Sequence, residues 1–238
     1  MVVLGQITRP SGNMGRSEDF VLGIDIGGTK IRGVLWRNKI ARFYELDTPK
    51  TKVDFLKRIR ALIGALSLNK DIVGVGIASA GVIEGTVVKK SPNIKYLNSF
   101  DFASLKISRI KVDNDARAFL RSEMDKTKYK KVLGITIGTG IGRAYSGQKI
   151  KAFEYPEEWE REYQKIRDSK DDKKLAKFLG EKLNMMIIKI KPDAIILGGG
   201  VIGRKGFFEK IKKELKAKTI RSRFGAKAGA IGAAKLFL

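Results

Sequence analysis

The chain has 238 residues, 43% apolar and 26 of them glycine, which suits one large or two smaller globular domains and excludes a disordered chain. It holds no cysteine and no histidine, which excludes disulfides, thiolate or imidazole metal sites and Cys or His nucleophiles; a hard cation on oxygen and a carboxylate base remain. Lys and Arg number 49 against 25 acidic residues, a formal charge of +24 that favours polyanionic partners.

The lysines are scattered along helical stretches without interleaved aromatics, so a solvated surface is the favoured reading and nucleic acid the alternative. Many lysines, few Asn and Gln and no Cys point towards a thermophile. Residues 1–19 read as a flexible lead-in with no secretory pattern, and no run approaches the ~18 apolar residues of a membrane span. The expected compartment is the cytoplasm, with no membrane partner.

Along the chain, "FVLGIDIG" (20–27), "IRGVLWR" (31–37) and "IARFYEL" (40–46) predict an antiparallel meander, with "NK" (38–39) as a tight turn. A helix follows, with Val53, Leu56, Ile59, Leu62, Ile63 and Leu66 on one face. "DIVGVGIASAG" (71–81) reads as a strand buried on both sides. "GTVVKK" adds a short strand, and "SPNIKYLNSFDFASL" reads as irregular. "ISRIKVD" (107–113) is a strand feeding a helix over 116–123.

The opening pattern then returns in "KVLGITIGTGIGRAYSG" (131–147): strand, glycine turn, strand. A polar helical region broken at "DSKDD" precedes a helix with Leu175, Phe178, Leu179, Leu183, Met186, Ile187 and Ile190 on one face. "DAIILGGG" (193–200) is a strand ending in glycines, followed by the helices "FFEKIKKELKAK" and "AKAGAIGAAKLFL". The repetition predicts two α/β domains facing each other across a cleft. Their expected bounds are 20–114 and 115–238, with the last helix packing back on the first.

Three glycine-rich stretches carry the chemistry. In "GIDIGGTK", Gly27 and Gly28 let backbone N–H groups approach phosphate oxygens, while Thr29 adds a hydroxyl and Lys30 a charge. Asp25 repels a bare phosphate and makes sense beside a magnesium ion. A hairpin with a chance acid is the plainer account. The loop is too short for a P-loop, and a strand follows it where a P-loop opens a helix.

Gly138, Thr139, Gly140 and Gly142 repeat the logic without the acid, although an ordinary β-turn also explains them. Gly198, Gly199 and Gly200 offer a flat backbone for adenosine, or a loose strand–helix turn. "VDNDARAF" places Asp113, Asn114 and Asp115 at a strand end and helix start. One of them serves as an N-cap; a second carboxylate suits proton acceptance from a hydroxyl. The helix N-terminus should keep Asp115 ionised.

In order, "GIDIGGTK", "GVGIASAGVIEG…SPNI", "VDNDARA", "ITIGTGIG" and "IILGGGV…AGAIGAA" resemble the ROK family of sugar kinases and repressors. The likeness spans roughly residues 20–147 and 175–238. It implies an α/β fold of two ribonuclease H-like (actin-like ATPase) domains with mixed sheets flanking a nucleotide-binding cleft. The implied activity is transfer of the terminal phosphate of ATP, with Mg2+, to a hexose or amino-sugar hydroxyl, usually on carbon 6.

By matching position, Asp25 resembles the metal-side acid, and Gly27, Gly28, Thr29 and Lys30 the first phosphate motif. Gly138, Thr139, Gly140 and Gly142 resemble the second, and Gly198, Gly199 and Gly200 the adenosine segment. Asp115 resembles the catalytic base, with Asn114, Gly81 and Asn93 on the sugar. A homodimer is the expected assembly.

Typical members continue into a Glu-x-Gly-His sugar contact and a Cys-rich zinc loop, both missing here, so no zinc is expected. "RAYSGQKIKAFEYPEEWEREY" stands there, with Glu154, Glu157 or Glu158 as candidate replacements and Arg143 where glycine is common. The repressors' helix-turn-helix is not expected, since fewer than twenty-five residues precede the first motif. Two alternatives stay open: a regulatory ATPase of the same fold without sugar kinase activity, and a kinase of a non-sugar alcohol.

Overall fold

The computed structural model describes residues 20–125, 127–146, 150–152 and 157–238. Grouped by contacts, the chain forms two units: the described residues up to Ala118 with Gly229–Leu238, and Phe119–Ala228. The expected lead-in lies outside the described residues.

In the first unit, β1 (Phe20–Ile26), β2 (Lys30–Arg37) and β3 (Lys39–Asp47) form the meander, turning at Asn38 with φ 58°. Helix α1 (Lys52–Ser67) starts at Thr51, whose hydroxyl accepts the Asp54 N–H at 3.1 Å. Then come β4 (Ile72–Ser79), β5 (Val82–Glu84), β6 (Val87–Lys90), β7 (Phe100–Asp101), β8 (Ile110–Asn114) and the first turn of α2 (Asp115–Met124), whose residues from Phe119 on belong to the second unit. The main sheet runs β3-β2-β1-β4-β8, and β4 lies parallel to both β1 and β8.

The buried face of α1 is Phe55, Ile59, Leu62, Ile63 and Leu66, set on Leu22, Ile24, Leu35 and Ile77. Val53, predicted on that face, is 62% exposed. Phe55 takes its place because Tyr96, Phe100 and Phe102 gather around that ring, with centroids 5.6–6.4 Å away. The stretch predicted irregular contains β7 and two short 3₁₀ turns. β5, β6 and β7 form a separate three-stranded sheet whose strands are too short to show a period.

The second unit contains β9 (Val132–Ile137), β10 (Ile141–Tyr145), β11 (Lys151–Ala152), α3 (Glu157–Asp168), α4 (Asp172–Ile190), β12 (Ala194–Gly198), α5 (Phe207–Glu214) and β13 (Thr219–Arg221). Its sheet runs β11-β10-β9-β12-β13. This is the order of the first sheet: an antiparallel meander on one side of the first strand, parallel strands on the other. Leu175, Phe178, Leu179, Leu183 and Ile187 of α4 are buried as predicted, in a core shared with Tyr163 and Ile166 of α3.

The closing helix α6 (Ala228–Ala234) belongs with the first unit. A Cβ on Gly23 of β1 would stand 1.9 Å from the Ala230 carbonyl, and one on Gly76 of β4 1.9 Å from that of Ala233. The small residues thus let helix backbone lie directly on sheet backbone. No helix among the described residues is long and apolar enough to cross a membrane.

Candidate active site

In the first unit the chain brings Asp25, the turn 27–29, Gly81, Asn114 and Asp115 to the C-terminal ends of β1, β4 and β8. Parallel strands put their C-terminal ends on one edge of a sheet, where the following loops and helix starts converge. Asp25 is half-buried, and its carboxylate lies against Gly229 of α6, where a Cβ would come within 2.5 Å. Burial and then the charge of Asp115 push its pKa up to about 7, against the opposing pull of Arg32, its antiparallel partner on β2.

Burial also raises Asp115, with Asp113 adding to the effect; the backbone N–H groups of Ala116 and Asp115 itself lower it. The helix N-terminus therefore does not dominate this carboxylate as expected. Desolvation outweighs the amides. A carboxyl lifted from its ordinary value is a better proton acceptor near neutrality.

The helix cap falls to Asn114, whose Oδ1 accepts the N–H groups of Ala116 at 3.0 Å and Arg117 at 3.2 Å. Its Nδ2 donates to the Gly81 carbonyl at 3.0 Å, leaving one amide hydrogen for a substrate. Gly81 has φ +115°, and a Cβ there would strike the Lys90 carbonyl at 2.0 Å, so its backbone conformation already requires glycine. Asp113 is buried and ion-paired with Arg117, a structural role. Asn93 is half-buried in the loop after β6.

The first glycine turn is tied down from behind. Thr48 Oγ1 donates to the Gly27 carbonyl at 2.7 Å, and the Thr48 N–H to the Thr29 carbonyl at 3.0 Å. Gly28 is half-buried and Thr29 exposed. Lys30 differs from expectation: it opens β2 and pairs with Asp47 at 2.8 Å, its charge partly compensated before any phosphate arrives.

In the second unit, the Gly138 N–H closes the turn on the Gly140 carbonyl at 2.9 Å. A Cβ on Gly138 or Gly200 would meet nothing within 4 Å, and neither has a positive φ. Protein packing does not require glycine at either position, so the bare backbone suits a molecule from outside. Two of the other predicted glycines, Gly198 and Gly199, have internal reasons. Gly142 lies inside β10 opposite Thr136, beyond the turn. Gly198 ends β12 under the Phe119 ring, 2.4 Å from a Cβ, and Gly199 has φ +95° against Ile137 backbone.

Sequence reasoning missed the side chains behind the second turn. Tyr163 of α3, fully buried, donates its hydroxyl to the Gly138 carbonyl at 2.6 Å. Arg167, one helical turn on, donates to the carbonyls of Gly138 at 3.3 Å and of Thr139. Their spacing of four residues is a signal only once the helix and its neighbour are known. Arg143 is buried within β10, 4% exposed. Among the proposed replacements for the missing sugar contact, Glu154 lies outside the described residues, Glu157 opens α3 and Glu158 is exposed.

Among the described residues no group of three or more acidic side chains could hold a metal. Magnesium needs less, one or two carboxylates with phosphate and water supplying the rest. Asp25 is a hard oxygen donor whose repulsion with Asp115 a cation would relieve, so it fits that ion.

An N-acetyl-D-glucosamine kinase of Histophilus somni is 31% identical over 153 residues, 56% of this chain and 50% of that protein. An N-acetylgalactosamine kinase of Shewanella is 33% identical over 135 residues, 50% of this chain and 42% of that protein. The matches thus span about half the length of these relatives.

The crystal structure of a ROK family glucokinase from Streptomyces griseus, in complex with glucose and AMPPNP, superposes with a TM-score of 0.78 at 21% identity. It covers 91% of this chain and 98% of that one, a likeness of fold. The sequence model of the ROK family matches residues 21–151, more than half of the chain, which therefore belongs to the ROK family.

Proposed function

We propose that this protein is an ATP-dependent sugar kinase acting on a hexose or N-acetylhexosamine, with the carbon-6 hydroxyl as acceptor. The observation that carries the reading is the pair Asp25 and Asp115 at one sheet edge, beside a glycine turn whose carbonyls are tied away. The relatives named for N-acetylhexosamine kinases put that substrate class first.

Phosphoryl transfer asks a protein mainly for positioning and charge stabilisation. Asp115 takes the proton of the attacking hydroxyl, and its raised pKa suits that task. Asn114, anchored on Gly81 and on the α2 amides, turns its remaining amide hydrogen to the sugar. In the first unit the Gly27 N–H, expected to face phosphate, is bonded to the Lys30 carbonyl at 3.0 Å, which leaves donation to phosphate oxygens to the backbone after it. In the second the Gly138 N–H closes its own turn, so that role falls to the amides of 139–140, and Gly200 leaves room for the adenosine. Asp25 would hold the magnesium ion, which would neutralise phosphate charge.

A panel of hexoses, N-acetylhexosamines and non-sugar alcohols, each with ATP and magnesium, tests the reading by ADP release. Release that depends on one sugar class is expected. ADP release at the same rate without any acceptor would point to an ATPase without sugar kinase activity.

A further inference from the structure

We propose that Tyr163 and Arg167 are positioning residues that set the donor direction of the second glycine turn, a role this chain assigns to α3. The inference rests on the nucleotide-binding reading above and adds to it the machinery that orients the turn.

The C=O of one residue and the N–H of the next point in opposite directions. With the Gly138 carbonyl held by Tyr163 and Arg167, the Thr139 N–H is aimed away from α3. With the Thr139 carbonyl held by Arg167, the Gly140 N–H is aimed the same way. Two successive amides thereby share one direction, the arrangement that receives an anion. A cationic donor on each carbonyl also polarises the peptide and strengthens the N–H opposite.

The brace is itself fixed. Tyr163 is fully buried, and burial pushes its pKa up to about 12, so its hydroxyl keeps the proton it donates. The Arg167 guanidinium stacks 5.5 Å from the Tyr163 ring and pairs with Asp168 at 2.8 Å. Arg204 donates to the Arg167 carbonyl at 3.3 Å and pairs with Asp172 at 2.8 Å. It belongs to the segment after Gly200, where the Val201 N–H is bonded to the Ile137 carbonyl at 3.0 Å. One helix thus ties together the two stretches proposed to contact nucleotide.

The test compares the full chain with Tyr163→Phe, Arg167→Gln and Arg167→Lys. It measures kcat, KM for ATP and for sugar, affinity for a non-hydrolysable ATP analogue without sugar, and Tm. Tyr163→Phe keeps the buried ring and so the fold. The expected result is a rise of about tenfold in the KM for ATP and in analogue Kd for Tyr163→Phe, and a larger one for Arg167→Gln. The sugar KM should stay within about twofold, and Arg167→Lys should recover part of the loss.

ATP and analogue constants at wild-type values in both Tyr163→Phe and Arg167→Gln, or a sugar KM that rises as much as that for ATP, would overturn the proposal. A wild-type chain that binds no analogue at all would overturn the nucleotide reading with it.

Discussion

Asp25 and Asp115 repel one another, and the repulsion has a readable pH signature. Asp25 has a raised pKa of about 7 in the folded chain and about 3.9 unfolded. Below about pH 4 both states are protonated, and the folded form has its full benefit from the neutral group. As pH rises towards 7 the unfolded chain releases the proton first, so stability falls across that window and levels above it. Asp25→Asn removes the charge. Its Tm in magnesium-free buffer at pH 8 should exceed wild type by about 2–6 °C, with the difference vanishing near pH 4. Turnover should fall sharply in the same variant. Equal thermal shifts at both pH values would refute the electrostatic account. Asp115→Asn should lower kcat by about 10²–10⁴-fold while affinity for nucleotide stays within about threefold. An unchanged kcat would remove Asp115 from the mechanism.

Glycines divide at the level of elements. Gly76 is packed under α6, where a Cβ has no room, whereas Gly138 faces open space on its turn. Gly76→Ala should destabilise by at least about 1–3 kcal/mol through overpacking, read as a lower Tm. Gly138→Ala should leave Tm unchanged or slightly raised, because unfolded-chain entropy falls, while the KM for ATP rises several-fold. The reverse assignment of the two effects would show that the turn is built for the fold.

Strand–turn–strand repeats, the buried strand at 72–79 and the α4 face were legible, because each depends on residues close in sequence. Tyr163 and Arg167 were not, since their partners are backbone carbonyls 25–29 residues away. Gly198 and Gly199 looked like ligand surface, but the Phe119 ring and Ile137 backbone that explain them arrive only with the tertiary structure. Asp115 was legible as a position and misjudged in its electrostatics, for burial is a property of the fold.

At the scale of the molecule, one topology appears in both units, and each carries a glycine turn whose carbonyls are held from behind by side chains or backbone of its own unit. The sheets place the turns; Thr48 in one and α3 in the other orient them. In the second unit the brace comes from α3, through Tyr163 and Arg167. In the proposed reaction the phosphate leaving ATP ends on a sugar hydroxyl. Phosphorus NMR of the full chain incubated with ATP, magnesium and the acceptor selected from the panel measures that directly. Sugar monophosphate and ADP in equal amounts are expected, both formed far more slowly by Asp115→Asn. ADP accompanied by inorganic phosphate, with no phosphorylated sugar, would contradict that reaction.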